Sequence, residues 1–130
     1  MYKIIKILVL IFFGFLINTS SAISEEEKIK VGLLVPLTGD DKKLGQQIIK
    51  STRIALKDIN TSKIEIFVKD TNSNPNKTVR SAIELKEMGI KIVIGPVFFE
   101  SLTYLDEMKD LTFLSLTNKT LDLPKNVISA

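Results

Sequence analysis

Four short apolar runs, separated by stretches of helical spacing, constrain this chain more than any other feature of it. They are Ile29–Pro36 (IKVGLLVP), Ile64–Val68 (IEIFV), Lys91–Ile94 (KIVI) and Thr112–Leu116 (TFLSL). Each is too short for a buried helix and lies between turn-forming residues, and the first three are rich in Ile and Val, so each reads as a strand. Ile29–Pro36 is apolar on both faces and therefore belongs at the centre of a sheet. Val127-Ile128 begins a fifth strand.

The intervening segments have the period of helices. Leu44, Ile48, Ala55 and Ile59, with Ile49 and Leu56 beside them, form one apolar stripe, and Lys50, Arg53 and Lys57 take the wet side. Asn60-Thr61-Ser62 stops this helix. The next opens at Asn74-Pro75, a capping residue followed by a proline whose missing N–H costs nothing there. It runs to Met88, and Gly89 supplies the left-handed stop. Val79, Ala82 and Ile83 are its expected buried face, with Arg80 and Glu84 as an exposed i,i+4 pair. A short third helix is expected over about residues 101–109. Strand and helix in alternation give an α/β fold, a parallel sheet with right-handed crossovers; the doubly wound order expected for it is 2-1-3-4-5.

Composition narrows the chemistry. The chain of 130 residues contains no Cys, His or Trp. Disulfides, thiolate or imidazole metal sites and Cys or His catalysis are thereby excluded. There is no GxSxG or Walker loop, and the glycines at Gly39 and Gly45 are wrongly spaced for a dinucleotide fingerprint. Asp40-Asp41 and Asp70 are cation-ligand types, but the third carboxylate follows the wrong strand, so no metal site is expected. No cofactor and no catalytic residue are expected either. Lys3 and Lys6 account for two of the three net positive charges, leaving +1 and no basic stripe for nucleic acid.

Met1–Ala22 has the layout of a secretory signal: Lys3 and Lys6, an apolar run Ile7–Ile17, then small polar residues ending at Ala22. The apolar run of 11 residues falls short of the ~20 needed to span a bilayer. The expectation is therefore an exported, periplasmic protein without a stable membrane anchor, its domain occupying residues 23–130.

In a sheet of this order the crevice between the carboxyl ends of strands one and three is the switch point where ligands are held. Its walls are Thr38 and Gly39 on one side and Phe98, Phe99, Glu100 and Ser101 on the other. Ser101 suits an anionic group if it opens the third helix, where free N–H groups point the same way. Capping its own helix explains the same residue equally well. Thr117 and Asn118, after strand four, are either further polar contacts or ordinary turn residues. Of the adjacent aromatics Phe98 and Phe99, one can pack inward; two exposed at the loop suggest an apolar wall for a ligand or partner.

The order Lys30-Val31-Gly32-Leu33-Leu34-Val35-Pro36-Leu37-Thr38-Gly39, Leu44-Gly45-Gln46 and Ala55-Leu56-Lys57-Asp58-Ile59-Asn60 resembles the start of a type I periplasmic binding protein of the leucine/isoleucine/valine-binding branch. Asp70-Thr71, Asn74-Pro75, Ile94-Gly95-Pro96-Val97 and Leu114-Ser115 continue it in order. The resemblance implies the first, N-terminal lobe of a two-lobed, non-enzymatic domain of that periplasmic-binding-protein-like fold, truncated here. It further implies a small ligand, an amino acid, passed to the membrane permease of an ABC-type uptake system. It assigns Ser101 to the ligand carboxylate and Thr117 to the carboxylate or ammonium. Phe98, Phe99 and Glu100 stand where small polar residues are usual, which keeps a second relative in view: activators of penicillin-binding proteins, regulatory domains of the same lineage that contact a cell-wall synthase.

Overall fold

A computed structural model of the chain describes residues 1–3, 27–102, 104–119 and 122–130. The leader expected over Met1–Ala22 lies, beyond its first three residues, outside the described residues. Five parallel strands run β1 (Ile29–Val35), β2 (Ile64–Asp70), β3 (Ile92–Ile94), β4 (Thr112–Ser115) and β5 (Val127–Ser129). They form one sheet in the order β2-β1-β3-β4-β5, as expected. Val31 faces Ile92, Ile94 faces Leu114, and Phe113 faces Val127 across the ladders. β1 is central, with Leu33, Leu34 and Val35 fully buried, each worth about 1.5–3 kcal/mol in apolar burial.

Two α-helices cross over, α1 (Lys42–Asp58) and α2 (Pro75–Glu87). α2 is capped as its sequence predicts: Asn74 Oδ1 accepts the Lys77 N–H at 3.0 Å, Pro75 takes the first position, and Gly89 follows with φ +77°. Its buried face differs from the apolar stripe. Thr78, Ser81, Ala82 and Leu85 are buried, Val79 is half-buried and Ile83 is exposed. The rotation is tolerated because both hydroxyls find acceptors: Thr78 donates to the Asn74 carbonyl at 2.9 Å and Ser81 to the Asp70 carbonyl at 3.0 Å. Glu84 pairs with Lys69 of β2 at 2.6 Å instead of with Arg80.

On this side of the sheet Leu34, Val93, Phe113 and Val127 pack with Ala82, Leu85, Ile90, Leu102, Leu105, Met108 and Leu111 into the main core. The other side is thinly covered. Of α1 only Gly45 is buried; Ile48, Ile49 and Leu56 are half-buried, and Leu44, Ile54, Ala55 and Ile59 are exposed. Ile92 and Ile128, on the same side by strand alternation, are exposed as well.

The third helix expected over about residues 101–109 is replaced by two 3-10 segments, Phe99–Leu102 and Leu105–Glu107. Tyr104 breaks them with a left-handed φ of +70°. Leu102, Leu105 and Met108 all point into the core, a spacing of three that a 3-10 path serves directly.

Candidate functional site

The sheet order brings the exits of β1, β3 and β4 to one edge. The β3 exit is laced to both neighbours. Gly95 approaches β1 so closely that a Cβ on it would lie 2.4 Å from the Leu34 carbonyl oxygen. Its N–H donates to the Leu114 carbonyl at 2.7 Å, and the Leu116 N–H donates to Pro96 at 3.0 Å. Thr38, Gly39, Phe98, Phe99, Ser101, Thr117 and Asn118 therefore all sit on segments leaving adjacent strand ends.

They do not all face solvent. Thr38, Gly39 and Asn118 are exposed, and Phe98 and Phe99 are half-buried. Ser101 is 1% exposed and Thr117 6%. Ser101 lies inside the short 3-10 segment, and its N–H is already bonded to the Phe98 carbonyl at 3.1 Å. Opening an α-helix with free N–H groups is thus not its role. Thr117 is committed to its own turn: its N–H donates to Ser115 Oγ at 3.2 Å and its hydroxyl accepts from the Lys119 N–H at 3.3 Å.

Two further residues join this edge. Lys119 places its ammonium 3.5 Å from the centre of the Phe99 ring, a cation–π contact tying the β4 exit to the β3 exit. Asp70, at the end of β2, gathers the β1 exit. Its carboxylate accepts the Leu37 N–H at 2.7 Å, the Thr38 N–H at 3.3 Å, the Thr38 hydroxyl at 2.6 Å and the Asn72 N–H at 2.9 Å, and it pairs with Lys77. Burial pushes this carboxyl up, but the Lys77 ammonium, the Thr38 hydroxyl and the two amides outweigh it and hold it well below the usual carboxylate range. The sequence marks Asp70 only as a cation-ligand type and as part of the Asp70-Thr71 step of the resemblance, and it marks Lys119 not at all; their partners are set by strand adjacency.

Among the described residues no three acidic side chains gather as a cation site. Asp41 accepts the Ser73 hydroxyl at 2.6 Å and Asp70 is neutralised by Lys77. A hollow of about 840 Å³ opens at the opposite, amino end of the strands, between Lys28, Lys30, Glu65 and Lys91. It has no convergent buried polar groups, so the carboxyl edge carries the functional argument. No helix among the described residues is long and apolar enough to cross a membrane.

This five-stranded parallel sheet, with its loops gathered at the carboxyl edge, has the fold of the first lobe of type I periplasmic binding proteins, on which it superposes. The chain belongs to the periplasmic binding protein family, whose model matches residues 28–123. It is 32% identical over 96 residues to penicillin-binding protein activator LpoA of Haemophilus ducreyi, a match covering 72% of this chain and 15% of that one. The LpoA C-domain of Haemophilus influenzae, described as a regulator of PBP1A, superposes with a TM-score of 0.58 at 26% identity, over 75% of this chain and 31% of that one. LivJ of Streptococcus pneumoniae, a branched-chain amino acid transporter substrate-binding protein solved with isoleucine, superposes with a TM-score of 0.66. That likeness is at 18% identity over 78% of this chain and 33% of LivJ, and it speaks to the fold alone. The chain thus spans between 15% and 33% of the length of these proteins.

Proposed function

We propose that the chain is a periplasmic binding domain that acts by contact rather than chemistry, and that its partner is a penicillin-binding cell-wall synthase. The observation that carries this is the burial of Ser101 and Thr117, at 1% and 6% exposure. A ligand carboxylate must come within about 3 Å of a hydroxyl to be held by it. Both residues are more than nine-tenths buried, and the polar surface at the edge includes the rim Thr38-Gly39, Glu100, Asn118 and Lys119. A rim of that kind suits a protein surface better than a small zwitterion. The similarity to LpoA, at 26–32% identity, supports the same reading. An expected export signal over Met1–Ala22 agrees with a periplasmic location. Capture from an envelope extract on the purified chain is expected to recover a penicillin-binding synthase; recovery of a permease alone counts against the proposal.

A second reading, the amino-acid-binding lobe of an ABC-type uptake system, is favoured by the open carboxyl edge at the β1/β3 switch point. Its test is a thermal-shift screen of the common amino acids. A ligand present at 100 times its Kd adds about 2.7 kcal/mol, so a true ligand raises the melt, and a flat screen removes this reading.

A further inference from the structure

The loops leaving β1 and β2 are bound to each other by side chains on both sides of the rim. Thr38 donates its hydroxyl to Asp70 Oδ2 at 2.6 Å and lies 3.1 Å from Asn72 Oδ1. Ser73 donates to Asp41 at 2.6 Å, at the other end of the same turn. Between them Gly39 has φ +77°, and a Cβ on it would meet Asn72 Oδ1 at 2.5 Å. Asn72 and Ser73 are themselves left-handed, with φ +49° and +50°. Asparagine visits that region readily, but serine stays there only where its surroundings hold it, and such strain gathers at functional edges. Among the described residues the Asp70 carboxylate joins the β1 exit, its own loop and, through Lys77, the first turn of α2, while Asp41 holds Ser73.

We infer that Asp70 is the positioning residue of the binding rim. Its carboxylate fixes Leu37, Thr38 and Gly39 in one shape before anything binds, and it leaves the Thr38 hydroxyl able only to accept a hydrogen bond from what docks there. A hydroxyl has one proton, and that proton is taken by Asp70. At Thr38, therefore, the rim meets an N–H or O–H donor on the partner rather than an acceptor. This rests on the reading of the carboxyl edge as the binding edge.

The test is residue-resolved amide hydrogen exchange on the full chain, with Asp70→Asn and Thr38→Val. In Asp70→Asn the Leu37, Thr38 and Asn72 amides are expected to exchange at least about tenfold faster, while the Val93 and Phe113 amides of the sheet keep their rates. In Thr38→Val the Leu37 and Asn72 amides stay protected, because they bond the carboxylate directly. Unchanged rates at Leu37 and Thr38 in Asp70→Asn overturn the inference, and so does an equal acceleration at every amide, which marks a residue needed only for stability. Should Asp70→Asn fail to fold, carboxyl carbon titration of the unsubstituted chain decides: Asp70 ionising below the ordinary carboxylate range sustains the inference, and Asp70 ionising within that range overturns it. These measurements need no partner. A failed capture or a flat ligand screen leaves them standing, and their failure leaves the proposed partner untouched.

Discussion

A β-carbon placed on Gly45 would lie 1.7 Å from the carbonyl oxygen of Pro36. The helix α1 thus meets the end of β1 backbone to backbone, and Gly45 is the one residue of that helix that is buried. Gly45→Ala is expected to destabilise the chain by about 1–3 kcal/mol, the usual range for forcing an extra group into a packed contact. Alanine is the better helix former by about 1 kcal/mol, so the propensity effect runs the other way. Urea denaturation of the two forms decides the sign. A gain in stability would mean that α1 does not dock at Pro36.

The Asp70 carboxyl has a folded pKa below its ordinary value, so its linkage to stability has a definite sign. A group depressed in this way stabilises the fold above its unfolded pKa of about 3.9, and the contribution is lost as pH falls toward the folded value. Asp70→Asn is therefore expected to melt lower than the parent at pH 7, with a gap that narrows as pH drops below about 4. Melting curves from pH 7 to pH 2.5 check this. A gap independent of pH would show that the ionised form of Asp70 is not what the fold uses.

Two residues of neighbouring strands measure how differently the sheet's faces are covered. Phe113 of β4 is fully buried in the main core, whereas Ile128 of β5 is 54% exposed on the other side. Phe113→Ala is expected to cost about 3–5 kcal/mol. Ile128→Thr, away from any packed contact, is expected to stay within about 0.5 kcal/mol of the parent. A loss at Ile128 comparable with that at Phe113 would mean that something covers this face in solution.

Much of the fold was legible because it rests on local pattern. Four apolar runs, the Asn74-Pro75 start and the Gly89 stop each carry their physical reason within a few residues, and the parallel sheet followed from their alternation. The buried face of α2 was misread because Thr78 and Ser81 count as polar in a periodicity argument, yet both are buried once their hydroxyls reach carbonyls. The stretch after β3 was misread as a helix because Ser101, Leu102, Leu105 and Met108 suit either a 3-10 or an α-helical path. At the edge, the candidate residues were placed on the right strand ends, but exposure was not readable: Ser101 and Thr117 are buried where Thr38 is not. Asp70 escaped because its partners Leu37 and Thr38 stand 33 and 32 residues away and meet it only through the β1–β2 ladder.

Lys119 and Phe99 give the edge its second tie, and the strength of that tie is measurable. An ammonium over an aromatic face is worth about 0.5–1 kcal/mol when solvent reaches it, and Lys119 is exposed. Lys119→Met keeps most of the side-chain length and removes the charge; Phe99→Leu keeps an apolar group and removes the ring face. Each alone is expected to lose stability, Phe99→Leu by more because Phe99 also packs against the core. In the double variant the Lys119 effect disappears, so the cycle closes with a coupling of about 0.5–1 kcal/mol. Phe99 sits on the β3 exit and Lys119 on the β4 exit, so a coupling of that size adds a side-chain tie to the backbone bonds that already join them. A coupling indistinguishable from zero would leave those backbone bonds as the tie between the two exits.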